Sequence, residues 1–205
     1  MGDRMGVGLD ELIEECISIS QEAYKRGLIS ASGGNISARV KGGDMVIIKR
    51  TGASFRNLKP SDIIVIDLDG KILEGKGKPS KEVNMHLGIY MVRSDVNAVI
   101  HTHSPAATAY AVCGREVPLV TVQALKILGK CPLVGYGPPG SLELAEKTKE
   151  VFKDRTVKAA VLQSHGATAV GSDLEEAYNH ADLLEATAQI SLFTTLIGKT
   201  QPIPY

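Results

Sequence analysis

Ala98-Val99-Ile100-His101-Thr102-His103-Ser104 is the stretch from which the rest of the chain can be read. Val99 and Ile100 read as a buried strand that runs into two histidines. Along a strand, residues i and i+2 point to one face, with Cα atoms roughly 6.5 Å apart. Two imidazoles at that spacing can converge on a single ion about 2.0–2.1 Å from each nitrogen. The alternative is a pair of hydrogen-bonded histidines at a strand end. A second apolar run, Ala159-Ala160-Val161-Leu162-Gln163, also reaches a histidine, in Ser164-His165-Gly166. Two strands that each deliver histidine favour a three-histidine metal centre of His101, His103 and His165, with room left for substrate.

Composition bounds the rest. At 205 residues the chain fits one domain, 1–205, and is long enough to bury a core. Acidic and basic residues balance at 23 each, so no electrostatic signature for nucleic acid or an anionic membrane is present. Cys16, Cys113 and Cys131 are scattered and include no CxxC pair, which argues for a reducing compartment and against a disulfide scaffold or a cysteine zinc site. No apolar run reaches the ~18 residues of a membrane span. Met1 to Gly8 reads as a short polar, glycine-rich leader without a signal-peptide core. The expectation is a soluble cytoplasmic protein.

Upstream of the histidine strand, Leu9 to Arg26 has helical spacing and is closed by Gly27. Ser30-Ala31-Ser32-Gly33-Gly34-Asn35-Ile36-Ser37 follows. Its glycines permit positive φ and could leave backbone N–H groups to form an anion-binding concavity, or could simply make a turn. Val40, Met45 to Ile48 and Ile63 to Ile66 read as strands, the first two joined by a Lys41-Gly42-Gly43-Asp44 hairpin. Thr51-Gly52-Ala53-Ser54 is a second candidate phosphate lip or an ordinary turn, and Lys71-Ile72-Leu73 is a further short strand. Gly77-Lys78-Pro79-Ser80-Lys81-Glu82 opens a helix running to about Arg93, with Ser80 as N-cap and Met85, Ile89 and Val92 as its buried stripe. Lys81 faces the positive end of that helix dipole, which an anionic ligand would explain and a solvated surface lysine would not require. His86, one turn after Glu82, is either support for the site or a satisfied core histidine.

Downstream, Ser104 to Cys113 reads as an alanine-rich helix ended by Gly114, while Val117 to Leu128 fits strand or helix. Leu133-Val134 and Gly135-Tyr136-Gly137-Pro138-Pro139-Gly140 make a strand and a stiff loop. Ser141 caps a helix to about Phe152, Ala167 to Val170 is a strand, and Asp173 caps a helix to about Ile197. On that last helix Ala177, Ala181, Leu184, Ala188 and Leu192 share one face. One α/β domain is the economical reading.

Taken together, Ser32-Gly33-Gly34-Asn35-Ile36-Ser37, Thr51-Gly52, Pro79-Ser80-Lys81-Glu82, His101-Thr102-His103-Ser104 and His165-Gly166 resemble the class II aldolase family, which includes sugar-phosphate aldolases and pentulose-5-phosphate 4-epimerases. The resemblance runs through nearly the whole chain in order. It implies a three-layer α/β/α sandwich on a largely antiparallel central sheet, and a homotetramer with active sites at subunit interfaces. It implies one divalent metal per chain, zinc in most members, held by His101, His103 and His165. Glu82 is implied as a metal ligand in the resting site and as the catalytic base once substrate displaces it. Phosphate contacts are implied at Gly34, Asn35, Thr51, Gly52, Ser80 and Lys81. The implied reaction is reversible cleavage of a fuculose-1-phosphate-like ketose 1-phosphate to dihydroxyacetone phosphate and a short aldehyde. Elementary chemistry agrees: C–C cleavage beside a ketone develops charge on the carbonyl oxygen, a Lewis-acid cation chelating that oxygen stabilises the enediolate, and no lysine Schiff base is needed.

The chain departs from the family pattern in places. Lys81 stands where serine is frequent. By spacing to Gly129, Gln123 stands where the fuculose-phosphate aldolases carry a tyrosine that protonates product, and a longer C-terminal tail is missing after Tyr205. Tyr136 and Tyr205 are the candidates to replace that tyrosine. An epimerase needs an acid in the segment Thr121-Val122-Gln123-Ala124-Leu125, and a methylthioribulose-1-phosphate dehydratase needs a glutamate near Gln123; neither is present. A non-catalytic adducin-like binding module should lose the metal triad, which this chain keeps.

Overall fold

Side chains alternate between the two faces of a strand, so an unbroken apolar run such as Ile63 to Ile66 makes both faces apolar and both require covering. The computed structural model describes residues 4–40 and 43–204. Its strands are β1 (Asn35–Arg39), β2 (Met45–Lys49), β3 (Ile63–Asp67), β4 (Ile72–Glu74), β5 (Ala98–Thr102), β6 (Leu133–Val134), β7 (Ala159–Leu162) and β8 (Gly166–Gly171). They form one sheet in the order β4-β3-β2-β1-β5-β8-β7-β6, with only the β6–β7 pair parallel.

Ile36, Ala38, Ile47, Val65 and Ile100 pack into the core on one face, under helices α1 (Arg4–Lys25), α3 (Pro105–Val112) and α6 (Leu174–Ile197). Val46, Ile48, Ile64, Ile66 and Val99 pack into the core on the other, under α2 (Val83–Val92) and α5 (Leu142–Phe152). The expected α/β/α sandwich on a largely antiparallel sheet is therefore present. The ambiguous stretch before Leu128 resolves as α4 (Val122–Leu128), because Thr121 Oγ1 accepts from Ala124 N at 3.2 Å and Gly129, at φ +67°, ends the helix. Ser141 and Asp173 cap α5 and α6 as expected, accepting from Leu144 N and Glu176 N.

Three boundaries and one buried stripe differ from the sequence expectation. α1 starts at Arg4 rather than Leu9, so part of the polar leader is helical: a nucleated helix extends at little cost per residue. β1 starts at Asn35, inside the stretch expected to be loop, because backbone pairing of Asn35 with His101 through Ala38 with Ala98 does not depend on side-chain polarity. α2 starts at Val83 and not at Ser80. Ser80 N donates to Lys49 O at 3.0 Å, which ties this segment to β2, and Glu82 takes the N-cap position. Lys81 lies outside the helix, and the dipole argument for an anion beside it loses its premise. On α6, Leu192 is half-exposed, so the buried stripe stops short of it. Lys41 and Gly42 of the expected hairpin lie outside the described residues, while the strands on either side pair antiparallel as expected.

Candidate active site

Sheet order brings the histidines together. β5 lies between β1 and β8, with His101 opposite Asn35 on one side and Thr168 on the other. His103 sits just beyond the end of β5, and His165 sits in the turn from β7 to β8, where Ser164 at φ +57° reverses the chain. The ring centroids of His101 lie 4.9 Å from His103 and 4.7 Å from His165, and those of His103 and His165 are 5.4 Å apart. One ligating atom of each residue lies within 4.8 Å of the others. Glu82 reaches the same point from the N-cap of α2, with Oε2 3.2 Å from His101 Nε2 and Oε1 3.4 Å from His165 Nε2.

Glycine makes the approach possible. A Cβ on Gly166 would lie 2.3 Å from the Thr102 carbonyl oxygen and 2.9 Å from His103 Cδ2, and one on Gly33 would lie 2.8 Å from His103 Nδ1.

The ring chemistry suits a cation. Burial pushes the His101 imidazole down to about 3 and lowers that of His103, so both are neutral at pH 7. His101 Nδ1 donates to the Ala167 carbonyl at 2.9 Å, which leaves the Nε2 lone pair facing inward. That lone pair stands 3.0 Å from His103 Nε2. Burial pushes the Glu82 carboxyl up, but His101, His165 and the Asn35 amide outweigh it and hold the carboxyl below its usual value. Glu82 Oε1 and His165 Nδ1 are buried with no hydrogen-bond partner among the described residues. Converging nitrogen lone pairs and an orphaned carboxylate oxygen are the donor set of a divalent ion.

A cleft of about 210 Å³ opens beside the histidines. Gly34, Asn35, Thr51, Gly52, Ser80 and Lys81 all line it, together with Glu82, His103 and His165. The glycine-rich loop, the Thr51-Gly52 turn and the Ser80-Lys81 turn therefore meet at one place. Asn35 is engaged already, its Nδ2 donating to Glu82 Oε2 at 2.8 Å. Ser80 Oγ accepts from Glu82 N at 3.3 Å.

Sequence reasoning missed Lys49, which lines the same cleft although it is only 2% exposed. Its Nζ donates to the Ala53 carbonyl at 2.5 Å and lies 5.6 Å from the Phe55 ring centre, and burial lowers its ammonium to about 8. The only sequence signal was a lysine closing a strand before Thr51-Gly52. Gln123 and Tyr136 are exposed and do not line the cleft of a single chain, and Tyr205 lies outside the described residues. A larger cavity of about 580 Å³ lies between Glu11, Arg39, Asn97 and Asp173 and contains none of these residues.

Residues 14–192 match the family of class II aldolase and adducin N-terminal domains. The chain belongs to that family. An L-fuculose phosphate aldolase of Methanococcus maripaludis is 40% identical over 179 residues, covering 87% of this chain and 95% of that protein. A 5-deoxy-D-ribulose 1-phosphate aldolase of Bacillus thuringiensis is 34% identical, covering 93% of this chain and 89% of that one. A solved L-fuculose 1-phosphate aldolase superposes with a TM-score of 0.88 at 29% identity, covering 95% of this chain and 91% of that one. The family resemblance read from the motifs is therefore correct, and the relatives just named are sugar-phosphate aldolases.

Because a Cβ at Gly166 meets backbone, Gly166→Ala should lower the thermal midpoint and reduce bound divalent metal in the purified protein. An unchanged midpoint with full metal content would show that this close approach is not needed.

Proposed function

We propose that the protein is a metal-dependent aldehyde-lyase that reversibly cleaves a ketose 1-phosphate, fuculose-1-phosphate-like, to dihydroxyacetone phosphate and a short aldehyde. The observation that carries this is the meeting of three imidazoles and a carboxylate at the mouth of a cleft lined by three turn segments and a buried lysine. His101, His103 and His165, with Glu82, would hold one divalent ion per chain, zinc by the nitrogen-rich donor set. When bound, such an ion supplies Lewis-acid stabilisation of the charge that develops on the substrate carbonyl oxygen.

The chain's own residues do the rest. Gly34, Asn35, Thr51, Gly52, Ser80 and Lys81 surround the phosphate, and Lys49 adds a desolvated positive charge behind them. An anchored phosphate holds the adjacent carbons at a fixed distance from Glu82. In the condensation direction Glu82 removes a proton from the hydroxymethylene carbon of dihydroxyacetone phosphate, and in cleavage it returns one. Its place at the edge of the cleft, 8% exposed, keeps bulk water from competing for that proton.

The same reading includes one domain over 1–205, supported by the single continuous sheet, and a homotetramer whose neighbouring chains complete the sites. Phe193, Leu196 and Ile197 near the end of α6 are 55%, 82% and 86% exposed, an apolar surface that a second copy would cover. A cytoplasmic setting fits three free cysteines. Charge balance and the absence of any helix among the described residues long and apolar enough to cross a membrane fit a small phosphorylated sugar rather than nucleic acid or lipid as partner.

Incubating the protein with dihydroxyacetone phosphate and a panel of aldehydes, lactaldehyde and glycolaldehyde first, should give condensation products. No product with any aldehyde would leave the dehydratase or epimerase reading in place. Glu82→Gln should keep the fold and lower proton exchange at dihydroxyacetone phosphate about 100-fold or more, the range of a positioned general base; unchanged exchange would remove it from that role. Lys49, bordered by Arg50, Asp62 and Glu82, carries its charge below about pH 8 and loses it above. Hence kcat/KM should fall as pH rises through about 8, and Lys49→Met should flatten that limb; an identical limb in the variant would assign it elsewhere. Light scattering should give about four chains per particle, and a monomeric mass with full activity would contradict shared sites.

A further inference from the structure

Behind Glu82 lies a buried run of polar side chains of which the reaction as described uses only Asn35, as part of the cleft around the phosphate. Ser37 and His86 are 0% exposed, Tyr90 2% and Asn35 4%. Tyr90 Oη lies 2.8 Å from Ser37 Oγ, and Ser37 Oγ lies 2.7 Å from His86 Nδ1. His86 Nε2 is in close hydrogen-bond contact with Asn35 Oδ1, and Asn35 Nδ2 donates to Glu82 Oε2 at 2.8 Å.

The direction of every bond follows by elimination. An ionised carboxylate only accepts, so Asn35 must present its nitrogen to Glu82 and therefore its oxygen to His86. An amide oxygen only accepts, so His86 Nε2 carries the hydrogen. Burial pushes the His86 imidazole down to about 4, so the ring is neutral and its Nδ1 is an acceptor. Ser37 then donates to Nδ1, and its oxygen is left to accept from the Tyr90 hydroxyl. All the donors point the same way.

We propose that Tyr90, Ser37, His86 and Asn35 are positioning residues, a one-way line of hydrogen-bond donors that locks His86 as its Nε2–H tautomer and sets the orientation of the Glu82 carboxylate. The proposal rests on Glu82 being the base assigned above. An apolar set of the same volume would join β1 to α2 about as well, since replacing both partners of a buried hydrogen bond is nearly neutral. What apolar groups cannot supply is direction. Bonds aligned head to tail polarise one another, so the last donor in the line is stronger than an isolated amide. It is delivered to Oε2 alone. Oε1, which accepts no hydrogen bond among the described residues and has His165 Nε2 at 3.4 Å, is left as the oxygen free to take a proton from substrate.

The test reads the tautomer and the kinetics separately. Nitrogen-15 NMR of the zinc-loaded, histidine-labelled protein should show His86 with a protonated Nε2 and a hydrogen-bonded, unprotonated Nδ1. In Ser37→Ala the Nδ1 resonance should move toward that of an unbonded ring nitrogen, while Ser37→Thr, which keeps a hydroxyl, should restore it. His86→Leu should lower kcat about tenfold with KM little changed, the upper end of the weight of one neutral hydrogen bond. His86→Gln, whose amide can still donate to Asn35, should recover most of that loss. A protonated Nδ1 in the parent protein, an Nδ1 resonance unmoved by Ser37→Ala, or a folded His86→Leu variant with full kcat would each overturn the proposal. If His86→Leu fails to fold, the Ser37 pair decides. The tautomer is read without turnover, so a failed aldolase assay and a failed donor line give different results.

Discussion

Neutral imidazoles pointing their lone pairs at one another inside a protein repel unless something positive lies between them. That constraint governs the end of the sheet where β1, β5 and β8 meet. His101 Nδ1 is committed to the Ala167 carbonyl, so its other nitrogen cannot turn away from His103, 3.0 Å distant. The carboxylate of Glu82 supplies negative charge on one side, and burial lowers the proton affinity of the rings. A shared divalent ion resolves all of these at once, which a proton on one ring does only in part. Much of the local backbone serves this meeting. Gly33 and Gly166 have no side chain where one would strike His103, and the positive φ of Ser164 returns the chain so that His165 faces its partners.

The two faces of the sheet divide the work. α1, α3 and α6 bury the apolar set of one face. α2 crosses the other with Glu82 at its start and His86 and Tyr90 along its length, so the same helix that covers the core carries the proposed base and the buried hydrogen bonds behind it. Packing and chemistry are thus coupled through β1, where Ile36 and Ala38 face the first core while Asn35 and Ser37 face α2.

Much of this was legible in the residues. Unbroken apolar runs such as Ile63 to Ile66 mark the central strands, and the histidines stand at strand ends where strand geometry leads them to one place. The motifs were specific enough to give the family. What could not be read were the features set by distant backbone. Ser80 looked like a helix cap because its partner, the Lys49 carbonyl, is 31 positions away in sequence. Lys49 drew no attention because nothing nearby in sequence shows that Ala53 and Phe55 fold back over it. His86 fitted a satisfied core histidine better than a supporting one, and it proves to have both of its nitrogens bonded while reaching Glu82 through Asn35. Gln123 and Tyr136 are exposed and do not line the cleft of one chain, so the aldehyde end of the proposed substrate is not assigned by these residues alone.

X-ray absorption at the metal edge of the purified protein measures the central claim directly. The spectrum should show one divalent ion bound by three imidazole nitrogens at about 2.0–2.1 Å with oxygen completing the shell. Thiolate sulfur in that shell, or an all-oxygen shell without the scattering signature of imidazole, would contradict it.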